Sequence, residues 1–213
     1  MKSICLLSQK PGSSREAFRA YYEGPHATLG MTHFPFSKYL RNHVVSASRP
    51  IDFDVVSEFY SADLAKSAEI MAGPVGAIMD ADEKRFMDQS LIRPAASEET
   101  ILYGPPRDIA AAQTRRVLVM LQQPDVDALA AWAEAFGKAE AGVTRISLDI
   151  ASSFSQGGKA FPFDAMLSLW LAPGAAAPAD GALAELNPAL TLLTDVCETP
   201  PQELAARYNP QPA

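Results

Sequence analysis

A chain of 213 residues with 48% hydrophobic and 20% charged side chains is long enough and apolar enough to bury a core, which excludes a disordered chain. Its formal net charge of −7, with no basic run longer than two residues, argues against nucleic acid and against a polybasic membrane surface, because phosphate binding needs clustered Lys and Arg. No apolar run approaches the roughly 20 residues that cross a bilayer, and the first apolar stretch is too short for a signal peptide, so a cytoplasmic location is expected.

In chain order, "SICLLSQ" reads as a strand closed by Pro11-Gly12. Ser13 and Glu16 have the spacing of a capping box, which starts a helix near Ser14. Gly24-Pro25 should interrupt that helix just before His26. "SKYLRNHVVSAS" alternates, with Tyr39, Arg41 and His43 on one face and Leu40, Asn42 and Val44 on the other. "DFDVVSEFYS" alternates as well, setting Phe53, Val55, Ser57 and Phe59 against Asp54, Val56, Glu58 and Tyr60. Helical patterns run from Ala62 to Met71 and from about Pro74 to Asp88, and "SLIRPAASEETIL" follows as an edge strand broken by Pro94. The order strand, helix, strand, strand, helix, strand is ferredoxin-like.

After a linker at 104–114 the pattern restarts. "VLVMLQQPDVDALAAWAEAF" mirrors "ICLLSQKPGSSREAFRAYY", and "FDAMLSLW" mirrors "FDVVSEFY", which pairs Asp54 with Asp164, Glu58 with Ser168 and Tyr60 with Trp170. "VTRISLDIAS" and "ALTLLTDVCETP" complete a second set of four strands, while the Ala-, Pro- and Gly-rich stretch between them leaves a short helix or none. The expectation is an α+β fold of two ferredoxin-like halves in tandem, 1–103 and 115–205, with antiparallel sheets facing each other around a pocket.

All three histidines, His26, His33 and His43, fall in one short segment interleaved with Tyr21, Tyr22, Phe34, Phe36 and Tyr39. His26 reads either as a general acid or base, because an imidazole titrates near neutral pH, or as a cation at a helix C-terminus. His33 reads as a solvated loop residue. The faces opposite Tyr39–Arg41–His43 and Glu58–Tyr60 are the more apolar and are expected under the helices, which puts the polar set in the cavity between the sheets. A polar set buried there without a ligand would be costly, at about 1–3 kcal/mol for each unpaired group. Arg41 and Glu58 could instead pair and lock the strands together. No HxH or HExxH spacing is present, so no metal is expected, and no GxGxxG or Walker loop suggests a nucleotide. Cys5 and Cys197 lie far apart in apolar strands, which argues against both a disulfide framework and a nucleophile. Asp82 and Glu83 read as helix braces.

The elements "LLSQKPGSSREAFRAYYEGPH", "KYLRNHV", "FDVVSEFY" and "DADEKRFMD", in that order, resemble the EthD-like branch of the dimeric α+β barrel superfamily over residues 1–103. The second half resembles the same fold in outline and lacks the histidines. The resemblance implies a sheet with helices on one face and a second sheet on the other. It also implies chemistry of the kind found in cofactor-free cyclases, dehydratases and isomerases that act on phenolic, polyketide-like or lactone substrates. On that basis the chain is expected to be a cofactor-independent lyase or isomerase for an aromatic or polyketide-like small molecule, working by dehydration, decarboxylation, deformylation or cyclisation. His26 or His43 would abstract a proton, Tyr39 would polarise the adjacent oxygen, and Arg41, Glu58 and Tyr60 would bind substrate. Trp170 would supply an apolar wall from the second half. No cofactor, nucleic acid or membrane partner is expected, and a homodimer is. The alternatives are a small-molecule-binding accessory protein without activity and a haem-handling protein or monooxygenase. The sequence leaves open whether the halves pair within one chain or across a dimer.

Overall fold

The computed structural model describes residues 2–106, 110, 113–153 and 159–209, so the expected linker at 104–114 lies in part outside the described residues. The first strand, β1 (Lys2–Leu7), leads to α1 (Arg15–Tyr21), whose N-cap is Ser14 rather than Ser13: the Ser14 hydroxyl accepts from the Ala17 amide at 3.1 Å. Gly24-Pro25 does not stop the helix. Residues Tyr22–His26 form a π-helical turn that runs on into α2 (Ala27–His33), with the Ala27 amide reaching back to the Tyr22 carbonyl. Proline lacks the amide that an α-helix needs, and the wider turn absorbs that loss without a break. Then come β2 (Phe36–Ala47), β3 (Val55–Ser61), α3 (Leu64–Ala72), α4 (Pro74–Phe86) and β4 (Arg93–Tyr103). The second set is β5 (Arg115–Leu121), α5 (Val126–Ala139), β6 (Val143–Ser153), β7 (Ala165–Leu171) and β8 (Leu190–Thr199), followed by α6 (Pro201–Arg207). A 3₁₀ segment, Asp180–Leu186, stands where a second crossover helix would be.

Strands 1–4 pair in the order β4-β1-β3-β2, and strands 5–8 in the matching order β8-β5-β7-β6. Two seams, β2–β8 and β4–β6, join these sets into one closed eight-stranded barrel within the chain. Strand β4 is therefore not an edge. Its Pro94 sits opposite Cys5 and precedes the first seam pair, Ala95–Ser153, so the missing N–H falls outside the seam. The two sets share a further detail. The Gln9 amide donates to Asp54 Oδ2 at 2.8 Å, and the Gln123 amide donates to Asp164 Oδ2 at 2.8 Å.

Side-chain alternation divides each strand between the barrel interior and the helix layer. One part of the interior is apolar, built from Ile4, Leu6, Val56, Leu118, Met120 and Leu192, all buried. Outside β1–β3 the helices pack Phe18, Tyr22, Met31 and Phe86 against Cys5, Leu7, Tyr39 and Val55. On the second half, α5 covers Val117, Val119, Leu167 and Leu169 with Leu129 and Ala133.

The register corrects one expectation. Tyr39 pairs with Phe59, Leu40 with Glu58 and Arg41 with Ser57, so Tyr39, Arg41 and His43 lie on the helix side while Glu58 and Tyr60 face into the barrel. The five residues do not line one cavity. On β2 the two faces are nearly equal in apolarity, so their composition does not decide the orientation. The helix side of β2 tolerates Arg41 and His43 because Glu23, delivered by the π-turn, pairs with both.

A candidate active site between the sheet and the helices

A cavity of about 350 Å³ lies between the outer face of β1–β3 and helices α2–α4. Phe34, Phe36, Tyr39, Phe59, Met71 and Met79 supply much of its wall, and His26 and Glu83 are among the few polar groups that reach it. Phe34 and Phe36 stack at 5.5 Å, and Tyr39 stacks on Phe59 at 5.0 Å. The space therefore has flat aromatic surfaces suited to a flat apolar molecule.

The π-turn sets His26 at this cavity rather than at the end of a helix. Its ring packs against Phe86 at 4.9 Å and Tyr22 at 5.0 Å, and Nδ1 lies 2.8 Å from Asp82 Oδ2. Tyr21 donates to the other Asp82 oxygen at 2.8 Å. A carboxylate only accepts, so Nδ1 carries the proton and Nε2 the lone pair. Nε2 makes no hydrogen bond among the described residues. Burial pushes the His26 pKa below its ordinary value, and the bond to Asp82 only partly offsets that effect. The result is a neutral imidazole, oriented by a carboxylate and positioned to accept a proton. Glu83 meets the same cavity with a pKa raised by burial, and it accepts from Gln89 at 2.9 Å. Burial also raises the Tyr39 hydroxyl, so it stays protonated and can donate.

Of the residues singled out from sequence, His26 and Tyr39 meet at this cavity and the others do not. His43 lies further along β2, with Nε2 2.6 Å from Glu23 Oε1. Arg41 donates to Glu23 at 2.8 and 3.1 Å and to the Thr199 hydroxyl at 2.8 Å, at the edge of a different cleft. Burial would raise the Glu23 carboxyl, but His43 and Arg41 outweigh it and bring it down to about 2. His33 is not a solvated loop residue. It ends α2, buried, with Nδ1 unpartnered among the described residues.

Glu58, Tyr60 and Trp170 belong to the other part of the barrel interior, where a charged network fills the space. Lys2 Nζ reaches Glu58 at 2.5 Å and Asp149 at 2.8 Å, and the Tyr60 hydroxyl bonds Lys2 at 3.1 Å and Glu99 at 3.2 Å. Arg116, fully buried, pairs with Glu58, donates to Asn42 at 3.0 Å and to Ser168 at 2.6 Å, and lies 4.1 Å above the Trp170 ring. Trp170 therefore seats an arginine and does not wall the aromatic cavity. Sequence reading missed Lys2, Arg116 and Asp149, although each stands at an inward position of its strand. It also missed Asp82 as the partner of His26. The signal was the i, i+4 spacing of Asp82 and Phe86 on α4, which aims both at the π-turn.

A closed antiparallel eight-stranded barrel with helices outside it is the dimeric α+β barrel architecture, here completed within one chain. Residues 10–90, the segment that holds all three histidines, match the model of the EthD domain. No curated protein matches the chain by sequence. Among solved structures, an anthrone oxidase-like protein is 12% identical with a TM-score of 0.52, covering 93% of this chain and 92% of its own. A protein assigned as a monooxygenase from Fusobacterium nucleatum subsp. nucleatum is 8% identical with a TM-score of 0.54, covering 93% of each chain. At these identities the likeness is one of fold.

Proposed function

We propose that this protein is a lyase or isomerase that needs no cofactor for its proton transfers and acts on an aromatic or polyketide-like small molecule in the cavity between β1–β3 and the helices. The observation that carries this reading is the His26–Asp82 pair at the wall of an otherwise largely apolar, aromatic-lined space. His26 Nε2 takes a proton from an activated carbon next to a carbonyl or phenol. Asp82 holds the ring in the required tautomer and stabilises the imidazolium that forms. The Tyr39 hydroxyl donates to the substrate oxygen as negative charge builds on it. Glu83, with its raised proton affinity, is the group in the cavity best suited to return a proton. General acid–base help of this kind contributes about 10²–10⁴-fold, and orientation between the aromatic walls supplies the rest.

The test is proton exchange rather than a guessed product. The protein is incubated in D₂O with a panel of β-keto aromatics and anthrone-type phenols, and loss of the activated carbon-bound proton is followed by NMR. Exchange above background, reduced at least about a hundredfold by His26→Ala, is expected. Ligands that bind without any exchange would identify the cavity as a binding site only and refute the catalytic reading.

A further inference from the structure

The β2–β8 seam brings together three side chains that lie far apart in sequence. Arg41 pairs with Cys197 and His43 with Asp195 across this seam, while the π-turn lowers Glu23 onto the same face. One donor atom from each of Glu23, His43 and Cys197 lies within 4.8 Å of the other two. Glu23 and Cys197 line an open cleft of about 910 Å³, together with Arg19, Arg41 and Arg115, and His43 is buried behind Glu23, with Nε2 2.6 Å from Oε1. None of the three lines the aromatic cavity of the proposed reaction. From this convergence we infer a divalent-metal site of the zinc type, with Glu23, His43 and Cys197 as protein ligands and the fourth position open to the cleft.

The chemistry of the donor set favours a borderline-soft ion. Thiolate, imidazole and carboxylate are together the ligands that zinc and cobalt accept, and three protein ligands with one open position is the pattern of reactive rather than purely structural zinc. Around a tetrahedral zinc, donors stand about 3.3–3.6 Å apart, given bonds of about 2.0–2.3 Å. The Glu23 Oε1–His43 Nε2 contact of 2.6 Å must therefore open slightly, and Cys197 must close in by a side-chain rotation. Arg41 holds both Glu23 oxygens, Nη2 donating to Oε2 at 2.8 Å and Nε to Oε1 at 3.1 Å, which fixes the carboxylate plane; a metal on Oε1 would replace the longer contact and keep the shorter one. Arg19, 3.7 Å from Cys197 Sγ and paired with Asp195, is placed to donate to the thiolate once it forms. The ion must displace the thiol proton, which burial holds more tightly than usual. Two guanidinium groups close to the ligands also oppose a dication, so a dissociation constant in the micromolar range is expected rather than the tighter binding of closed four-ligand sites.

Titration of the purified, chelator-treated protein with Co²⁺ tests this. The expected result is one equivalent bound, with a thiolate-to-cobalt absorption band and visible bands of tetrahedral intensity that added Zn²⁺ abolishes. Cys197→Ser should remove the thiolate band, and Glu23→Gln should weaken binding at least tenfold. Cys5→Ser, which changes a thiol on a different strand and away from this cleft, should leave the spectrum unchanged. Absence of stoichiometric binding up to millimolar Co²⁺, or a band that survives Cys197→Ser, overturns the proposal. If Cys197→Ser does not fold, Glu23→Gln decides: unchanged affinity in that variant is equally fatal. The readout is spectroscopic and does not depend on the proton-transfer reading.

Discussion

Neutralising Glu58 by Glu58→Gln strikes the charged network inside the barrel at its centre. Glu58 is completely buried, and its two oxygens serve Lys2, Arg116 and the Asn42 amide, the last at 2.8 Å. Burial alone would raise its pKa, yet Arg116 and Lys2 hold it far below the ordinary carboxylate range. In the variant, Lys2 keeps Asp149 at 2.8 Å, but Arg116 is left with only the neutral acceptors Asn42 and Ser168. Breaking one partner out of a buried pair costs about 3–5 kcal/mol, because the surviving charge is buried and uncompensated. At roughly 2–4 °C per kcal/mol for a chain of this size, the melting temperature should fall by about 6–20 °C. Differential scanning calorimetry with urea titration at constant pH measures it. The network lies across the sheet from the aromatic cavity, so exchange per folded molecule should stay at the wild-type level. A fall of less than about 3 °C would show that the network is not an obligate ion cluster, and loss of exchange in the folded variant would return Glu58 to the reaction.

Four other outcomes follow from the geometry. The exchange rate should rise with pH on a limb whose midpoint lies below the ordinary histidine value of 6.5, since the base works neutral and burial lowers its pKa; a midpoint above 6.5 would contradict the assignment. Asp82→Asn should lower that rate by about 10–100-fold with little change in ligand affinity, because it removes orientation and not cavity wall, as a kcat-against-KM comparison would reveal. Glu23 contributes stability that is complete above its ordinary 4.5 and is lost as pH falls toward about 2, so acid melts of wild type and Glu23→Gln should converge across that window. Gly137→Ala should destabilise by about 1–3 kcal/mol in urea titrations, because a Cβ there would lie 2.2 Å from the Tyr103 ring, which is partly buried against α5.

The sequence and the structure agree where a pattern repeats and part where a single contact decides. The apolar run of "SICLLSQ" and the alternation of "DFDVVSEFYS" both mark strands, because hydrophobic residues there serve the buried faces of the sheet, and the shared Asp54 and Asp164 positions expose the repeat. Strand β2 is different. Leu40, Asn42 and Val44 offer the core little more than Tyr39, Arg41 and His43 do, so a one-residue shift of register costs little in hydrophobicity. The orientation is settled by Glu23, on the preceding π-turn, and by Val196 and Cys197 on the last strand, none of which local spacing reveals. The π-turn was illegible for a related reason: Gly-Pro reads as a stop unless the helix has enough tertiary contact to continue through it. Finding His26 needed only the clustering of histidines, whereas its partner Asp82 needed the packing of α4.

The two seams have a consequence for the order in which the molecule can assemble. Strand β2 closes against residues 192–199 and β4 against residues 146–153, so the first sheet, complete by residue 103, has no partner while the ribosome makes the rest. At about 5–20 residues per second, that interval lasts on the order of 5–20 s. During it, the surface destined for the barrel interior is wet, and it presents Lys2, Glu58 and Asn42 beside Ile4, Leu6 and Val56. A purely aliphatic face would invite a second nascent chain to dock. A lysine and a glutamate there keep the unfinished sheet solvated until Arg116 and Asp149 arrive to complete the charge balance. The polar interior thus doubles as a device for keeping a half-made barrel from pairing with the wrong half.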